Sequence, residues 1–308
     1  MNIRIYRTLF YITILVMVTG CANPLFFYPD SKQYSLPSDS KLEYENVSFT
    51  SRDNTKLSGW FIPAVQSSRF EKTKGTIIHF HGNAQNMTSH FQFVKWLPKK
   101  GYNVFVFDYR GYGQSEGHAK RSGIYEDCLA ALTWISQKEG VDNDRLIVLG
   151  QSLGGALAIR VVADHPEFGI KAVIADSPFA SYRKIVRDKV GSVSLLKWMK
   201  WPLSYLLATD GYSAVDVVDR LSPVPLLIIH GTNDRAVPFH HGRLLYETAK
   251  EPKAFWVIEK GLHIDVLAPH RMKYRKLITD FIDSLSGFDT NSNGLRMYPM
   301  AGGTAKSD

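Results

Sequence analysis

A serine between closely spaced glycines is the most distinctive chemical feature of the chain, in Gly150-Gln-Ser152-Leu-Gly154-Gly155. An apolar run at residues 146–149 precedes this serine, and a mostly apolar stretch at residues 153–164 follows it. We therefore expect a strand to end and a helix to begin here, which exposes a nucleophilic hydroxyl in a strained turn. Glycines are required because side chains at positions 150 and 154 would collide with the neighbouring strand and helix. Ser152 is the candidate nucleophile of an acyl-transfer reaction.

A serine nucleophile needs a general base held by an acid, and at this kind of turn the chain order is serine, acid, histidine. Among ten histidines, only His263 follows the last predicted strand in a short loop, so it is the candidate base. His230 ends the seventh predicted strand, where we expect it to bond to the backbone. His240, His241 and His270 open predicted helices.

The acid is predicted to be Asp234, in the loop that follows the seventh predicted strand. Asp176, at the end of the sixth, is the alternative, although the following Ser177-Pro178 reads better as the start of an insertion. Asp265 is close to the base in sequence, but two residues along the chain it should point away.

Two backbone N–H groups are expected to bind the developing oxyanion. One belongs to Leu153, at the start of the helix after the nucleophile. The other belongs to Asn83, in the loop His79-Phe-His-Gly-Asn-Ala84 after the third predicted strand. His81 in this loop is expected to brace it, and Tyr109-Arg-Gly-Tyr-Gly-Gln-Ser115 is interpreted as a second structural loop.

The elements that must position these residues alternate along the chain. Short runs rich in β-branched and aromatic residues predict eight strands, at residues 47–50, 57–63, 76–81, 103–108, 145–150, 171–176, 225–230 and 254–258. Helical patterns lie between them; at residues 121–139, for example, Ile124, Cys128, Leu132 and Ile135 form one apolar stripe. We predict an α/β fold, with a mostly parallel eight-stranded sheet flanked by helices. Because Cys128 lies on the apolar stripe of residues 121–139, it is predicted to be a core residue.

Residues 178–222 interrupt the alternation of strands and helices and are predicted to form a short helical cap. The segment is rich in lysine, arginine, tryptophan and leucine, which suggests contact with lipid acyl chains and anionic headgroups. The alternative is that its apolar residues pack onto the sheet and its lysines are merely solvated.

The N-terminal residues are predicted to be a targeting signal. Arg4 and Arg7 precede an apolar run of about ten residues, too short for an ordinary membrane span. Val18-Thr-Gly-Cys21 resembles the bacterial lipoprotein box, which implies cleavage before Cys21 and lipidation of that residue. The alternative is an uncleaved anchor. The expected location is the bacterial cell envelope, lipid-anchored and facing the periplasm, with Ala22 favouring the outer membrane.

Length and composition bound the remaining possibilities. The 308 residues, 44% apolar and 21% charged, suit one globular domain of about 250 residues. We assign residues 1–20 to the signal peptide, 21–40 to a tether, 41–286 to the domain and 287–308 to a disordered tail. The net charge is +8. Nucleic-acid binding is nevertheless not predicted, because the sequence has no run of basic residues interleaved with aromatic ones. Cys21 and Cys128 are the only cysteines, so no disulfide is predicted, and a monomer is expected.

Taken together, five motifs resemble those of the α/β-hydrolase superfamily. They are His81-Gly-Asn-Ala, Asp108-Tyr-Arg-Gly-Tyr-Gly-Gln-Ser115, Gly150-Gln-Ser-Leu-Gly-Gly155, Asp176-Ser-Pro and His230-Gly-Thr-Asn-Asp234. They are similar to single-domain hydrolases of the prolyl-oligopeptidase and serine-aminopeptidase group, and to ABHD-type membrane-associated depalmitoylases and lysophospholipases. The resemblance implies cleavage of an ester, thioester or amide through an acyl-enzyme, without metal or organic cofactor. Ile264 departs from the pattern, because this branch often has a small or polar residue after the base.

Three functions follow from the sequence. The first, which we favour, is hydrolysis of carboxylic esters or thioesters of acyl or lipid substrates. The second is hydrolysis of small soluble esters or peptides, and the third is a non-catalytic binding protein that has kept the fold. The complete set of Ser152, Asp234 and His263 argues against the third.

Overall fold

Residues 27–66, 72–268 and 272–285 are described by the structure, a computed structural model of the chain. The strands are β1 (Tyr28–Pro29), β2 (Glu45–Thr50), β3 (Lys56–Ile62), β4 (Gly75–Phe80), β5 (Ala84–Gln85), β6 (Tyr102–Phe107), β7 (Leu146–Gln151), β8 (Ala172–Asp176), β9 (Leu226–Gly231) and β10 (Lys253–Ile258). The α-helices are α1 (Met87–His90), α2 (Arg121–Gln137), α3 (Leu153–Asp164), α4 (Tyr182–Ser192), α5 (Lys200–Leu207), α6 (His240–Thr248) and α7 (Met272–Ser284).

Eight strands form one sheet in the order β10-β9-β8-β7-β4-β6-β3-β2. The pairs from β10 to β6 are parallel, whereas β3 pairs antiparallel with β6 and with β2. All eight coincide with the strands predicted from the sequence, so the predicted mostly parallel eight-stranded sheet is confirmed. The carboxyl ends of β4, β7, β8, β9 and β10 meet at one edge, where α/β sheets bind ligands.

Two hydrophobic cores cover the two faces of the sheet, because successive residues of a strand point to opposite sides. In β7, Val148 belongs to the core that includes α2 and α3. Its neighbours Ile147 and Leu149 belong to the core that includes α7. Cys128 is fully buried in the first core, as its place on the apolar stripe of α2 predicts. The central strands read as continuous apolar runs because both faces are covered.

Residues 27–40 lie along the domain, which corrects the prediction that residues 21–40 form a tether for the part that the structure describes. Strand β1 pairs parallel with β5. The Asn86 side chain donates hydrogen bonds to the carbonyl oxygens of Asp30 and Lys32, at 3.2 and 2.8 Å. These backbone groups have partners in the domain and need no water, so the packed chain begins at least as early as Phe27, which is 5% exposed.

Several sequence predictions concern residues outside the described ranges. Cys21, the signal segment, the tail from residue 287 and His270 all lie there. Among the residues that the structure does describe, none of the helices has the length and apolar character needed to cross a membrane.

The predicted cap is a helical hairpin between β8 and β9. Helix α4 is joined to α5 by a short 3₁₀ segment at Ser194–Met199. Two further 3₁₀ turns, Ala214–Asp216 and Val218–Arg220, then lead back to the sheet. The hairpin starts a few residues after Asp176, so it stands at the edge of the sheet that carries the candidate catalytic residues.

Candidate active site

Ser152 occupies a tight turn between β7 and α3. Its backbone angles, φ 53° and ψ −111°, lie in a region that residues with a side chain rarely adopt. The turn is held by its N–H, which donates to the carbonyl of Asp176 at 2.8 Å, and by its carbonyl, which accepts from the N–H of Ala156 at 3.1 Å. The strain is therefore borne by neighbouring strand and helix, and Ser152 is 8% exposed at the carboxyl edge.

The glycines around Ser152 permit a very close approach of the backbone segments. A Cβ atom on Gly150 would lie 2.2 Å from the carbonyl oxygen of Gly154. One on Gly154 would lie 1.9 Å from the carbonyl oxygen of Phe80, at the end of β4. Any side chain would push α3 away from the sheet, in agreement with the collisions expected from the sequence.

His263 and Asp234 lie side by side, although 29 residues separate them. The distance from His263 Nδ1 to Asp234 Oδ2 is 2.7 Å. Because a carboxylate can only accept, Nδ1 carries the proton and Nε2 of the neutral ring holds a lone pair. The Asp234 side chain is fully buried, while that of His263 is 24% exposed. The ring of His263 is thus held in a fixed orientation, with a lone pair that can accept a proton and with access to the surface.

Asp234 is surrounded by hydrogen-bond donors. Its Oδ1 accepts from the N–H groups of Ala236 and Val237, both at 2.8 Å. Its Oδ2 accepts from His263 and lies 3.4 Å from Nε2 of His230. Burial alone would raise the pKa of Asp234, but the hydrogen bonds from His230, His263 and Val237 outweigh it and hold the pKa well below its usual value. Asp234 therefore stays ionised.

His230 has a role that the sequence analysis missed. Its Nε2 donates to the carbonyl of Val237 at 2.9 Å, which is the backbone contact expected. The same N–H also faces Asp234, and so it supports the carboxylate directly. The signal in the sequence was the spacing of four residues between His230 and Asp234, which a tight turn after β9 closes.

The loop that carries His263 is hydrogen-bonded to the loop that carries Asp234. The N–H of Asn233 donates to the carbonyl of Gly261 at 3.0 Å, and the N–H of Lys260 donates to Oγ1 of Thr232 at 2.8 Å. Asp265 accepts from the N–H of Leu262 at 3.4 Å, within its own loop. The two loops therefore form one unit at the ends of adjacent strands.

Asp176, the alternative acid, is buried in a different set of contacts. Its Oδ2 accepts from Gln151 at 3.4 Å and its Oδ1 from the hydroxyl of Ser177 at 3.2 Å. Burial raises its pKa to about 6, against the opposing hydrogen bond from Gln151. Gln151 in turn pairs with Nε2 of His79 at 3.2 Å, and burial lowers the pKa of that histidine to about 3. The geometry favours Asp234 over Asp176 as the partner of His263.

The two candidate oxyanion donors belong to backbone segments that come close together next to Ser152. Leu153 is the first residue of α3, where backbone N–H groups have no partner within the helix. Asn83 follows β4, whose end touches the start of α3 at Gly154. The hydroxyl of Tyr112 donates to the carbonyl of Asn83 at 2.9 Å and so helps to fix the loop. His81 is buried beneath it and its ring lies 4.2 Å from that of Tyr109, a bracing position.

One cluster has the composition of a metal site. Nε2 of His240 and Nε2 of His241 both lie 2.9 Å from Oδ2 of Asp188, which belongs to the cap helix α4. However, Nδ1 of His241 accepts a hydrogen bond from the N–H of Ala180 at 3.1 Å. The proton of the neutral ring must then be on Nε2, where it is donated to Asp188 and leaves no lone pair for a metal. The cluster ties the cap to α6.

Known proteins share both the sequence pattern and this architecture. The family model described as serine aminopeptidase, S33, matches residues 71–214. The uncharacterized protein YfhR of Escherichia coli K12 is 38% identical over 286 residues, 91% of this chain and 95% of that protein. The α/β hydrolase domain-containing protein WAV2 of Arabidopsis thaliana is 30% identical over 269 residues, 82% of this chain and 83% of that protein.

Solved structures show the same fold. A crystal structure of the esterase Pf2001 of Pyrococcus furiosus is 25% identical with a TM-score of 0.68, covering 84% of this chain and 97% of that one. The acylaminoacyl peptidase of Pyrococcus horikoshii is 19% identical with a TM-score of 0.61, and the match covers 79% of this chain and 41% of the peptidase chain. The chain belongs to the α/β-hydrolase superfamily, and it is a serine hydrolase of the α/β type.

Proposed function

We propose that this protein hydrolyses carboxylic esters or thioesters of acyl substrates through a Ser152–His263–Asp234 triad. The observation that carries the proposal is the 2.7 Å hydrogen bond between His263 and Asp234, at the edge where Ser152 is held in its strained turn. A buried ionised acid, an oriented base and a serine on a sharp strand-to-helix turn are the three parts that activate a hydroxyl for attack.

In the proposed reaction, Oγ of Ser152 attacks the acyl carbonyl carbon while Nε2 of His263 takes the hydroxyl proton. The N–H groups of Leu153 and Asn83 bind the oxyanion, each contributing about 3–4 kcal/mol in comparable sites. Asp234 keeps Nδ1 of His263 protonated and stabilises the imidazolium. His263 then protonates the departing alcohol or thiol, leaving an acyl group on Ser152. A water molecule, activated by His263, releases the acid by the same steps in reverse.

The basic character of the cap supports acyl substrates over peptides with a free N-terminus. A peptide substrate of an aminopeptidase carries a positive α-amino group close to the bond that is cleaved. The cap, residues 178–222, carries seven lysine and arginine side chains and four aspartates. Of the aspartates, Asp188 already binds His240 and His241, and Asp210 pairs with Arg183 at 3.0 Å, so the net charge of the cap is positive. Such a field opposes a cation and favours neutral acyl chains or anionic leaving groups.

Peptide hydrolysis is the second candidate, because the matching family model is described as serine aminopeptidase. A panel of p-nitrophenyl esters with acyl chains of two to sixteen carbons, with an acyl thioester and an aminoacyl p-nitroanilide alongside, separates the two. We expect kcat/KM to be highest for an ester or thioester. Faster cleavage of the anilide than of any ester would favour the peptidase instead.

We also propose that Cys21 is lipidated and holds the enzyme on the envelope membrane. The support is the sequence pattern of basic residues, short apolar run and Val18-Thr-Gly-Cys21. Residues 27–40 lie along the domain, so a lipid on Cys21 would hold the domain close to the bilayer. A tether of this kind raises the local concentration of enzyme at its substrate.

A further inference from the structure

The tip of the cap hairpin exposes large apolar side chains. All residues from 192 to 198 are exposed, and the exposed fractions of Leu195 and Trp198 reach 82% and 77%. Val193 and Trp201 are exposed as well, at 48% and 52%. By contrast, Val186 of α4 is buried against the domain. Among the described residues, the domain leaves residues 192–198 exposed, so the alternative that the apolar residues of the cap pack onto the sheet is wrong for the tip.

Basic residues accompany these apolar side chains along the hairpin, and one of them, Arg183, forms an ion pair with Asp210 at 3.0 Å. The basic residues of the hairpin are Arg183, Lys184, Arg187, Lys189, Lys197 and Lys200. Two of them lie over aromatic rings: the guanidinium of Arg187 is 3.6 Å from the ring centre of Trp201, and that of Arg183 is 4.4 Å from Tyr205. Long basic side chains on aromatic rings, beside exposed leucine and tryptophan, are typical of surfaces that enter a lipid interface.

The base of the hairpin is fixed beside the candidate active site. Asp188 binds His240 and His241 of α6, each at 2.9 Å. Nζ of Lys189 donates to the carbonyl of Arg235, the residue after Asp234, at 3.5 Å. The hydroxyl of Ser181 donates to Asp210 at 2.6 Å. Whatever binds the tip is therefore held at a defined position relative to the loop of Asp234.

We propose that the tip of the cap, residues 193–201, docks on an anionic lipid bilayer. Leu195 and Trp198 enter the interface, while Lys197 and Lys200 meet negatively charged headgroups. A second copy of the chain fits this surface poorly, because a symmetric dimer would place the same basic residues against each other. The proposal does not depend on the hydrolase activity or on a lipid at Cys21.

The distribution of tryptophan gives a test that works in the full chain. Residues 1–26 contain no tryptophan, so its fluorescence does not report on attachment by the N-terminus. The six tryptophans are Trp198 and Trp201, exposed on the cap; Trp60 and Trp96, buried; and Trp134 and Trp256, half-buried. Lipids brominated on their acyl chains quench a tryptophan only when it enters the bilayer. Quenching in vesicles of phosphatidylglycerol and phosphatidylcholine therefore measures docking of the cap.

The measurement is made on full-length Ser152→Ala protein, so that hydrolysis cannot alter the vesicles. We expect quenching with the anionic vesicles, loss of most of it in Trp198→Phe, and no loss in the matched control Trp134→Phe. Lys197→Gln should weaken binding to anionic vesicles about fivefold, the usual contribution of one basic residue near such a surface. Binding to neutral vesicles should not change.

Two outcomes overturn the proposal. One is full-length protein that floats with the vesicles but shows no quenching, since only the N-terminus would then be attached. The other is a concentration-dependent doubling of mass in solution, without quenching, that disappears in Leu195→Ser, since a second copy would then be the partner of the tip.

Discussion

The N–H of Ile264 donates to the hydroxyl oxygen of Ser177 at 3.1 Å, which joins the loop of His263 to the end of β8. Ser177 in turn donates to Oδ1 of Asp176 at 3.2 Å. Both Ser177 and Ile264 have positive φ, 54° and 47°, a conformation that costs a residue with a side chain about 1–3 kcal/mol. A partly buried chain of hydrogen bonds from Asp176 to Ile264 therefore fixes the residue next to His263.

Ser177→Ala should leave the N–H of Ile264 without its acceptor and loosen the loop of His263. We expect kcat on a soluble ester to fall about ten- to a hundredfold, with little change in KM, because the base is displaced while the substrate contacts remain. Steady-state kinetics measure this. Ser204→Ala, which removes another buried hydroxyl, bonded to the carbonyl of Trp201, is the control and should keep normal kcat. Equal losses in both variants would show a general effect on the fold.

Ser152→Ala should abolish labelling by a fluorophosphonate probe and lower kcat by about 10⁴–10⁶. The substitution removes only Oγ from a turn whose geometry is set by backbone hydrogen bonds, so the variant should fold normally. Gel fluorescence of the labelled protein, with circular dichroism as the folding control, tests this. Near-normal turnover in the variant would exclude Ser152 as the nucleophile.

Asp234→Asn and Asp176→Asn distinguish the two candidate acids. The first removes the carboxylate 2.7 Å from Nδ1 of His263, and an amide nitrogen there favours the wrong tautomer of the ring. We expect a loss of about 10⁴ in kcat. Asp176→Asn should cost much less, because Asp176 contacts Gln151 and Ser177. Reversed effects would assign the acid to the end of β8.

Asp176 should also make stability depend on pH. Its pKa is raised to about 6 in the folded protein by burial, so between about pH 4 and 6 the folded state holds a proton that the unfolded state has lost. The contribution of Asp176 to stability is thus fully present below about pH 4 and is lost as the pH rises through 6, by at most about 3 kcal/mol. Urea unfolding across this range should show a smaller decline in Asp176→Asn, and an equal decline in both proteins would contradict the assignment.

Cys21→Ser tests the proposed lipid anchor. Cys21 is the only cysteine in the first 127 residues, so no neighbouring thiol can replace it. The substitution should block processing and leave the precursor held by its uncleaved signal. Mass spectrometry of the mature protein is the direct measurement, and we expect an N-terminus at Cys21 with added acyl mass. An unmodified Cys21 at the N-terminus would rule out lipidation.

The sequence by itself determined the sheet and the order of its strands along the chain. The eight predicted runs are the eight strands of the main sheet. Its central parallel strands were recognisable because a strand covered on both faces is apolar at nearly every position, whereas the antiparallel β2 alternates between buried and exposed residues. It also determined the turn at Ser152, because only glycine can occupy positions 150 and 154 without collision. These are local requirements of the backbone, and each is visible in neighbouring residues.

The sequence predicted His263 and Asp234 as partners, with Asp176 as the alternative acid, but only the tertiary structure decided which distant groups meet. The pairing of His263 with Asp234, the contact of His230 with the same carboxylate, and the bond from Ile264 to Ser177 depend on which loops adjoin at the edge of the sheet. The sequence also left open whether the apolar side chains of the cap are buried, because the exposure of Leu195 and Trp198 depends on where α4 and α5 contact the rest of the domain. Hydrophobic patterns record that a side chain is apolar, but only packing determines whether the domain covers it or leaves it to a partner.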